Sequence, residues 1–578
     1  MVQARKEGSL LYPICFLSLR AHSRNHKNLH IPDDQLQNLC LAEIEKILQR
    51  NGKSLKDHSC LPYPIFDDLE QFQNKFIVDE LNYNKQEMTA KHTSYLTLMT
   101  AEQKGVYDNI MQSVLSDSGG FFFLYGYGGT GKTFVWNTLS AAIRSMGMIV
   151  LNVASSGIAY LLLPGGRTAH SRFCIPLQTD ETTTCNIKQG SLRANLLMRA
   201  KLIIWDEAPI LNRNCFEALD RTLRDIMRQE DESNMDKPFG GKVVVLGGDF
   251  RQILPVIPKG GRQDIVSATV NSSDLWKHCK VLKLTRNMRL GTASSSEHAT
   301  EIKEFADWIL KIGDGDFDSN ERGESNIEIP EDLLIQDSEN PLLDLVGFAY
   351  PNLLQNMTTE KFLEERCILC PTLEFVEKVN DFMLDLLPGN TTEYLSSDTT
   401  CKSDEDTALE SEWFTTEFLN DITCSGIPNH KITLKEGAPI MLLRNIAAGL
   451  CNGTRLIVAD LGTNVIKATV ITGTNIGEDI FIPRMDMVPS DSGYPFKFER
   501  RQFPISLCFA MTINKSQGQS LSHVGLYLSR PVFTHGQLYV ALSRVRSRKG
   551  LKLLVLDEEE KVTSTTKNVV YREVFENI

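Results

Sequence analysis

Short apolar runs recur from about residue 100 onward, separated by segments with helical periodicity. FFFLYG (121–126), MIVLNVA (148–154), KLIIWDEA (201–208), KVVVLGGDF (242–250) and CKVLKL (279–284) are rich in β-branched and aromatic residues. They read as buried parallel strands with helices between them. A second group opens at RCILCPT (366–372), whose follower EFVEKVNDFMLDLL has helical spacing, and resumes with ISLCFAMTI (505–513), HVGLYL, the helical HGQLYVALSRV and KLLVLD. Between the halves, HKITLKEGAPIMLLRN and TRLIVADLGTNVIKATVITG show strands broken by Gly, Asn and Pro, the pattern of a small β-barrel. The expected fold is α/β: two RecA-like parallel-sheet domains in tandem, with a small β-barrel inserted in the second.

This pattern divides the chain into an irregular extension (1–95) and a first sheet domain (96–290) with a small wedge near 164–190. Residues 291–428 carry the start of the second domain and an acidic linker, 429–502 the barrel, and 503–578 the remainder.

Charge changes this picture locally. The 578 residues carry a net charge of −12, yet 311–421 alone hold 6 Lys/Arg against 27 Asp/Glu. The remainder is therefore basic, and residues 500–556 hold nine Arg/Lys and no carboxylate, which suits a surface facing phosphates. The acidic stretch is open to three readings, in this order: a solvated spacer, a partner surface, or an electrostatic limit on duplex binding. No apolar run is long enough for a membrane span. The basic start, MVQARKEGSLLYPICFLSLRAHSRNHK, could pass for a presequence, but Pro13 interrupts it and it reads as an ordinary extension. Thirteen scattered cysteines suggest a reducing compartment, and the one CxxC, Cys367 to Cys370, reads as part of a buried strand.

The chemistry begins at GYGGTGKT, Gly126 to Thr133, between a strand and a helix. In a GxxxxGK(S/T) loop, glycines let backbone N–H groups turn toward phosphate oxygens, and the helix N-terminus adds a favourable dipole. Gly126, Gly128, Gly129, Thr130 and Gly131 form the cradle. Lys132 reaches the β- and γ-phosphates, and Thr133 offers its hydroxyl to Mg²⁺. Asp206 and Glu207 end an apolar strand, at the sheet edge where ligands of such folds bind. Asp206 suits Mg²⁺, and Glu207 suits orienting and deprotonating water. Gln252, one strand further, reads as a γ-phosphate sensor or as a structural glutamine. Arg289 and Arg544 each follow an apolar element and are fingers or ordinary surface arginines; His170, on chemistry alone, is more often structural.

AEQKGVYDNI, GYGGTGKT, ASSGIA, RTAHSRF, IIWDEAP, GGDFRQILPV, LTRNMR, INKSQGQSL and YVALSRVRS occur in this order. Together they resemble the helicase motifs of the petite-integration-frequency (Pif-one) family of superfamily 1B, over roughly residues 95–557. APILNRNCFEALDRTLRDIMR resembles that family's signature helix, and CNGTRLIV and GKSLKDHSCLP are most like plant members and the helicase half of Helitron transposon proteins. No His-hydrophobic-His nuclease motif accompanies them.

The resemblance implies Mg²⁺-ATP dependence, 5′→3′ movement on single-stranded DNA, unwinding of tailed or forked duplex, and roles in repair, recombination and telomere maintenance. It matches Gln103 to the adenine-reading glutamine and Arg289 and Arg544 to arginine fingers. Ser156, Thr168 and His170 match single-strand contacts on the first domain; Lys515, Ser516 and Gln517 match those on the second; Gly518 falls near the γ-phosphate. The barrel resembles a Src-homology-type 2B domain. KSQGQSL departs from the family in having Ser520 where threonine is commoner, which keeps the hydroxyl. Two rival readings stay open: a DNA-stimulated ATPase that translocates without unwinding, and an inactive transposon-derived remnant that only binds DNA. The expected compartment is the nucleus, with the mitochondrion second.

Overall fold

The computed structural model describes residues 74–288, 296–336, 338–357, 361–401, 415–424, 426–447, 449–473, 475–489, 496–576 and 578, with a few isolated positions between 41 and 63. The basic start and Arg289 lie outside the described residues.

The first lobe is a six-stranded, all-parallel sheet. Its spatial order is Arg167–Thr168, Ile149–Ala154, Ala200–Asp206, Val243–Gly248, Gly120–Gly126 and Lys280–Leu284. Successive side chains of a strand point to opposite faces, and both faces are covered. Phe121, Phe123, Leu151, Ile203, Trp205 and Leu246 pack on one side with the helix Arg213–Met227. Phe122, Leu124, Val150, Leu202, Ile204 and Val245 pack on the other with the helices Ala101–Leu115 and Lys132–Ser145. Burial on both faces explains why these strands read as continuous apolar runs.

Two expectations for this lobe need correction. The helix Lys85–Leu98 packs along Lys132–Ser145, so the lobe begins before residue 96. The 164–190 wedge is not a separate module: Arg167–Thr168 is the edge strand of the sheet, and Phe173, Ile175 and Cys185 belong to its core.

The second lobe is a four-stranded parallel sheet ordered Ala510–Thr512, Arg366–Cys370, His523–Leu528 and Leu551–Val555. The helices Pro341–Ala349 and Leu373–Leu386 cover one face. The helices Ser296–Asp314 and Gln537–Ser543 cover the other, through Phe305, Ile309, Leu538 and Leu542. Most of the acidic segment is therefore folded domain, and its reading as a solvated spacer is wrong. Leu345, Val346, Val379 and Met383 lie buried among its carboxylates.

The inserted module is antiparallel. Its main sheet runs Asp479–Pro483, Val465–Val470, Arg455–Leu461, Pro439–Leu442 and Ile505–Leu507. Two small sheets add Thr392–Leu395 with Lys431–Leu434, and Ser397–Thr400 with Phe498–Gln502 and Met485–Met487. The module thus reaches beyond 429–502 at both ends. A fully buried ion pair holds it together: Arg500 donates to Asp398 Oδ2 at 2.7 and 2.9 Å and to the carbonyls of Leu419, Ile422 and Pro428.

The lobes are interlocked. Gly536 touches the first lobe so closely that a Cβ there would lie 2.2 Å from the Arg251 carbonyl oxygen. Thr565–Val569 pairs with Glu324–Glu328, after which Val569, Tyr571 and Val574 enter the first lobe's core. Arg262 grips Glu573 at 2.8 and 2.9 Å, and Asn271 donates to the Val574 carbonyl.

Candidate active site

The loop 126–131 joins the strand Gly120–Gly126 to the helix Lys132–Ser145, and positive φ at Gly129 (99°) and Gly131 (88°) shapes it. A side chain at Gly131 would be strained by its φ and would meet Gln103 Nε2 at 2.4 Å. Gln103 is buried beneath the loop: Oε1 accepts from Thr100 N–H, and Nε2 donates to the Thr130 carbonyl. Both ends of the amide are therefore engaged by the protein. The Thr130 hydroxyl donates inward to the Tyr127 carbonyl, so Thr130 faces a ligand through its backbone. Lys132 Nζ donates to the Gly126 carbonyl at the mouth of the loop, and Thr133 lies on the first turn of the helix.

Asp206 ends the strand Ala200–Asp206 and Glu207 follows it; the strand Val243–Gly248 lies between that strand and Gly120–Gly126. Glu207 has φ 51°, a left-handed conformation that a residue other than glycine adopts only when its surroundings hold it there. Burial, reinforced by the Asp206 charge, pushes its carboxyl up to about 7, while Lys132 and Arg544 act in the opposite sense. Asp206 Oδ1 is buried without a protein partner, and so is Gln252 Oε1. Unpartnered oxygens are costly in a finished site. An orphan carboxylate oxygen beside a phosphate loop and a helix-opening threonine fits a phosphate-bound Mg²⁺.

The second lobe closes over this face. Arg544 is buried at the seam, donating to the carbonyls of Val540 and Gln519 and to Ser543 Oγ, close enough to act on Glu207. Arg289 follows Met288, whose N–H donates to the Gly129 carbonyl at 2.9 Å. Glu102 accepts from the N–H groups of Thr285 and Arg286, which aims that segment at the loop.

A cavity of about 380 Å³ lies beside this centre. Ser156, Thr168 and His170 of the first lobe and Lys515 and Gln517 of the second line it together. One expected residue does not line it: Ser516 is fully buried, and its hydroxyl donates back to the Ile513 carbonyl. Gly518 has Ala159 as its nearest neighbour, with 3.4 Å between Ala159 Cβ and the glycine's own Cβ position. The carboxylate-free stretch is also no continuous basic face. Arg500 is buried, Arg501 pairs with Asp486 and Arg548 with Asp332; of the nine, Lys515 is the one that lines the cavity.

Sequence reasoning missed the wall that the inserted module supplies, Arg444, Asn445 and Asn452. Its loop packs on the helix Gly157–Leu161 so tightly that a Cβ at Gly157 would meet the Asn452 carbonyl oxygen at 2.1 Å. Glycine pairs such as Gly157 and Gly453 were the available signal.

Over residues 98–323 the chain matches the family model described as PIF1-like helicase, and over 417–461 the model described as DNA helicase Pif1, 2B domain. It is 27% identical over 446 residues to the mouse ATP-dependent DNA helicase PIF1, covering 75% of this chain and 57% of the relative. The Psychrobacter ATP-dependent DNA helicase Pif1 is 25% identical, with 75% and 66% covered. The chain spans about three fifths of the length of the vertebrate relatives it matches. Among solved structures it resembles the Candida albicans Pif1 helicase (TM-score 0.55, 22% identity, 83% of this chain and 98% of that one). It also resembles a Bacteroides Pif1 helicase in complex with ADP-AlF3 and ssDNA (0.55, 23%, 80% and 94%). At these identities the structures establish the fold.

Proposed function

The chain belongs to the PIF1-like helicase family, and from that premise we propose that it is an ATP-driven motor that moves 5′→3′ along single-stranded DNA and unwinds tailed or forked duplex. One observation carries this reading: the nucleotide centre and a cavity lined by both lobes meet at the same seam, where Gln517 belongs to both.

The chain's own residues supply the steps. Backbone N–H groups of 128–131 and the helix dipole hold phosphates. Lys132 releases the Gly126 carbonyl to meet them. Asp206 and Thr133 would hold Mg²⁺, which neutralises charge on the terminal phosphates. Glu207 orients water and takes its proton, and Gln252 senses the γ-phosphate. Arg544, from the second lobe, and Arg289, by the resemblance, stabilise the transferring group. Closure and reopening of the seam move the two cavity walls relative to each other. Walls that alternately grip one strand's backbone then step along it, largely without sequence preference.

Roles in repair, recombination and telomere maintenance belong to this reading. The compartment that goes with this reading is the nucleus, with the mitochondrion second. Strand displacement on 5′-tailed and 3′-tailed duplexes tests the motor directly. Unwinding of the 5′-tailed substrate alone is expected, and unwinding of only the 3′-tailed one refutes the polarity. ATP turnover stimulated by DNA without strand displacement favours a translocase.

A further inference from the structure

Gln517 is 2% exposed and sits between two sites. Its Nε2 donates to Glu207 Oε2 across the seam at 3.4 Å, while its Oε1 is buried with no partner. The same side chain lines the cavity beside His170 and Lys515. Its loop is fixed on either side: Ser516 is tied to the Ile513 carbonyl, and Gly518 abuts Ala159.

We infer that Gln517 is a positioning residue that holds Glu207 idle until a single strand occupies the cavity. The inference rests on the motor reading above and deepens it, by naming the device through which DNA regulates hydrolysis. Oε2 of Glu207 is one of the two oxygens able to accept water's proton, and an amide donor occupies it. The bond is long and therefore weak, and the other end of the amide is unsatisfied. A strand brings phosphate oxygens and base edges, so the amide gains partners by turning into the cavity. Glu207 is then freed without any change in the first lobe. The loop's fixed ends confine the change to one side chain.

The test measures ATP turnover with and without oligothymidylate, oligonucleotide affinity by fluorescence anisotropy, and melting temperature. It compares the full chain with two variants: Gln517→Met keeps shape and loses the amide; Gln517→Asn keeps the amide and loses reach. In either variant that melts with the wild type, DNA-free turnover is expected to rise about fivefold or more, the rate equivalent of one weak hydrogen bond to a charged group. Turnover at saturating DNA stays near wild type, so the stimulation ratio collapses. Unchanged or lowered DNA-free turnover, with only anisotropy affected, overturns the inference and leaves the motor reading intact. A wild type that oligothymidylate does not stimulate overturns both.

Discussion

The hydroxyl of Tyr539, on the second lobe, donates to Asp249 Oδ2, on the first, at 2.6 Å, and both groups are buried. Asp249 closes the strand Val243–Gly248, and Tyr539 lies in the helix that ends at Ser543, just before Arg544. A shift at the phosphate end of the first sheet is thereby passed to a candidate finger. Tyr539→Phe leaves a buried carboxylate short of one donor. It should cost about 1–3 kcal/mol, read as a lowered midpoint in denaturant unfolding.

Lys132→Ala should lower ATP turnover by roughly 10²–10³-fold, because it removes the ammonium that lies at the mouth of the loop. Single-strand affinity, measured by anisotropy, should persist. Turnover near wild type would remove the loop from the mechanism.

Lys515→Ala should weaken oligonucleotide binding and flatten its salt dependence by about 0.7 in log–log slope, the share of one phosphate contact. Nucleotide affinity should not move, since Lys515 lines the strand cavity.

Asp398→Asn strips the counter-charge from Arg500 where both side chains are fully buried. Removing one member of a buried pair costs about 3–5 kcal/mol. Loss of the inserted module's cooperative unfolding would show it in calorimetry.

His535 predicts a pH dependence. Its Nδ1 accepts from Tyr571 N–H at 2.8 Å, so Nε2 carries the proton donated to the Phe250 carbonyl at 2.7 Å. Burial pushes its pKa down from 6.5 to about 4. Above pH 6.5 the imidazole is neutral in both states and contributes no slope. Between 6.5 and 4 only the unfolded chain binds the proton, so stability falls as pH falls, by up to about 3 kcal/mol in total. Melting curves across that window should be flatter for His535→Gln than for wild type.

The strands of the first lobe were legible because apolar runs and a phosphate loop are local signals. GYGGTGKT and IIWDEAP sit at strand ends whatever surrounds them. The second lobe was harder. Charge counting hid the helix Pro341–Ala349, whose Leu345, Val346 and Ala349 are buried although it lies in the acidic stretch. ISLCFAMTI reads as one strand, yet Ile505–Leu507 closes the inserted module's sheet and Ala510–Thr512 begins the next, with Cys508 and Phe509 buried at the crossing. Apolar continuity cannot mark a change of partner. Contacts between residues hundreds of positions apart, such as Gln517 with Glu207, leave no periodic trace.

Since Val569, Tyr571 and Val574 complete the core around the strand Gly120–Gly126, synthesis order and folding order diverge. A ribosome would display the first lobe with an open apolar socket until residues 569–574 emerged. Neither half, expressed separately, should then be soluble, and chaperones that shield nascent hydrophobic surface should set the yield of active molecules.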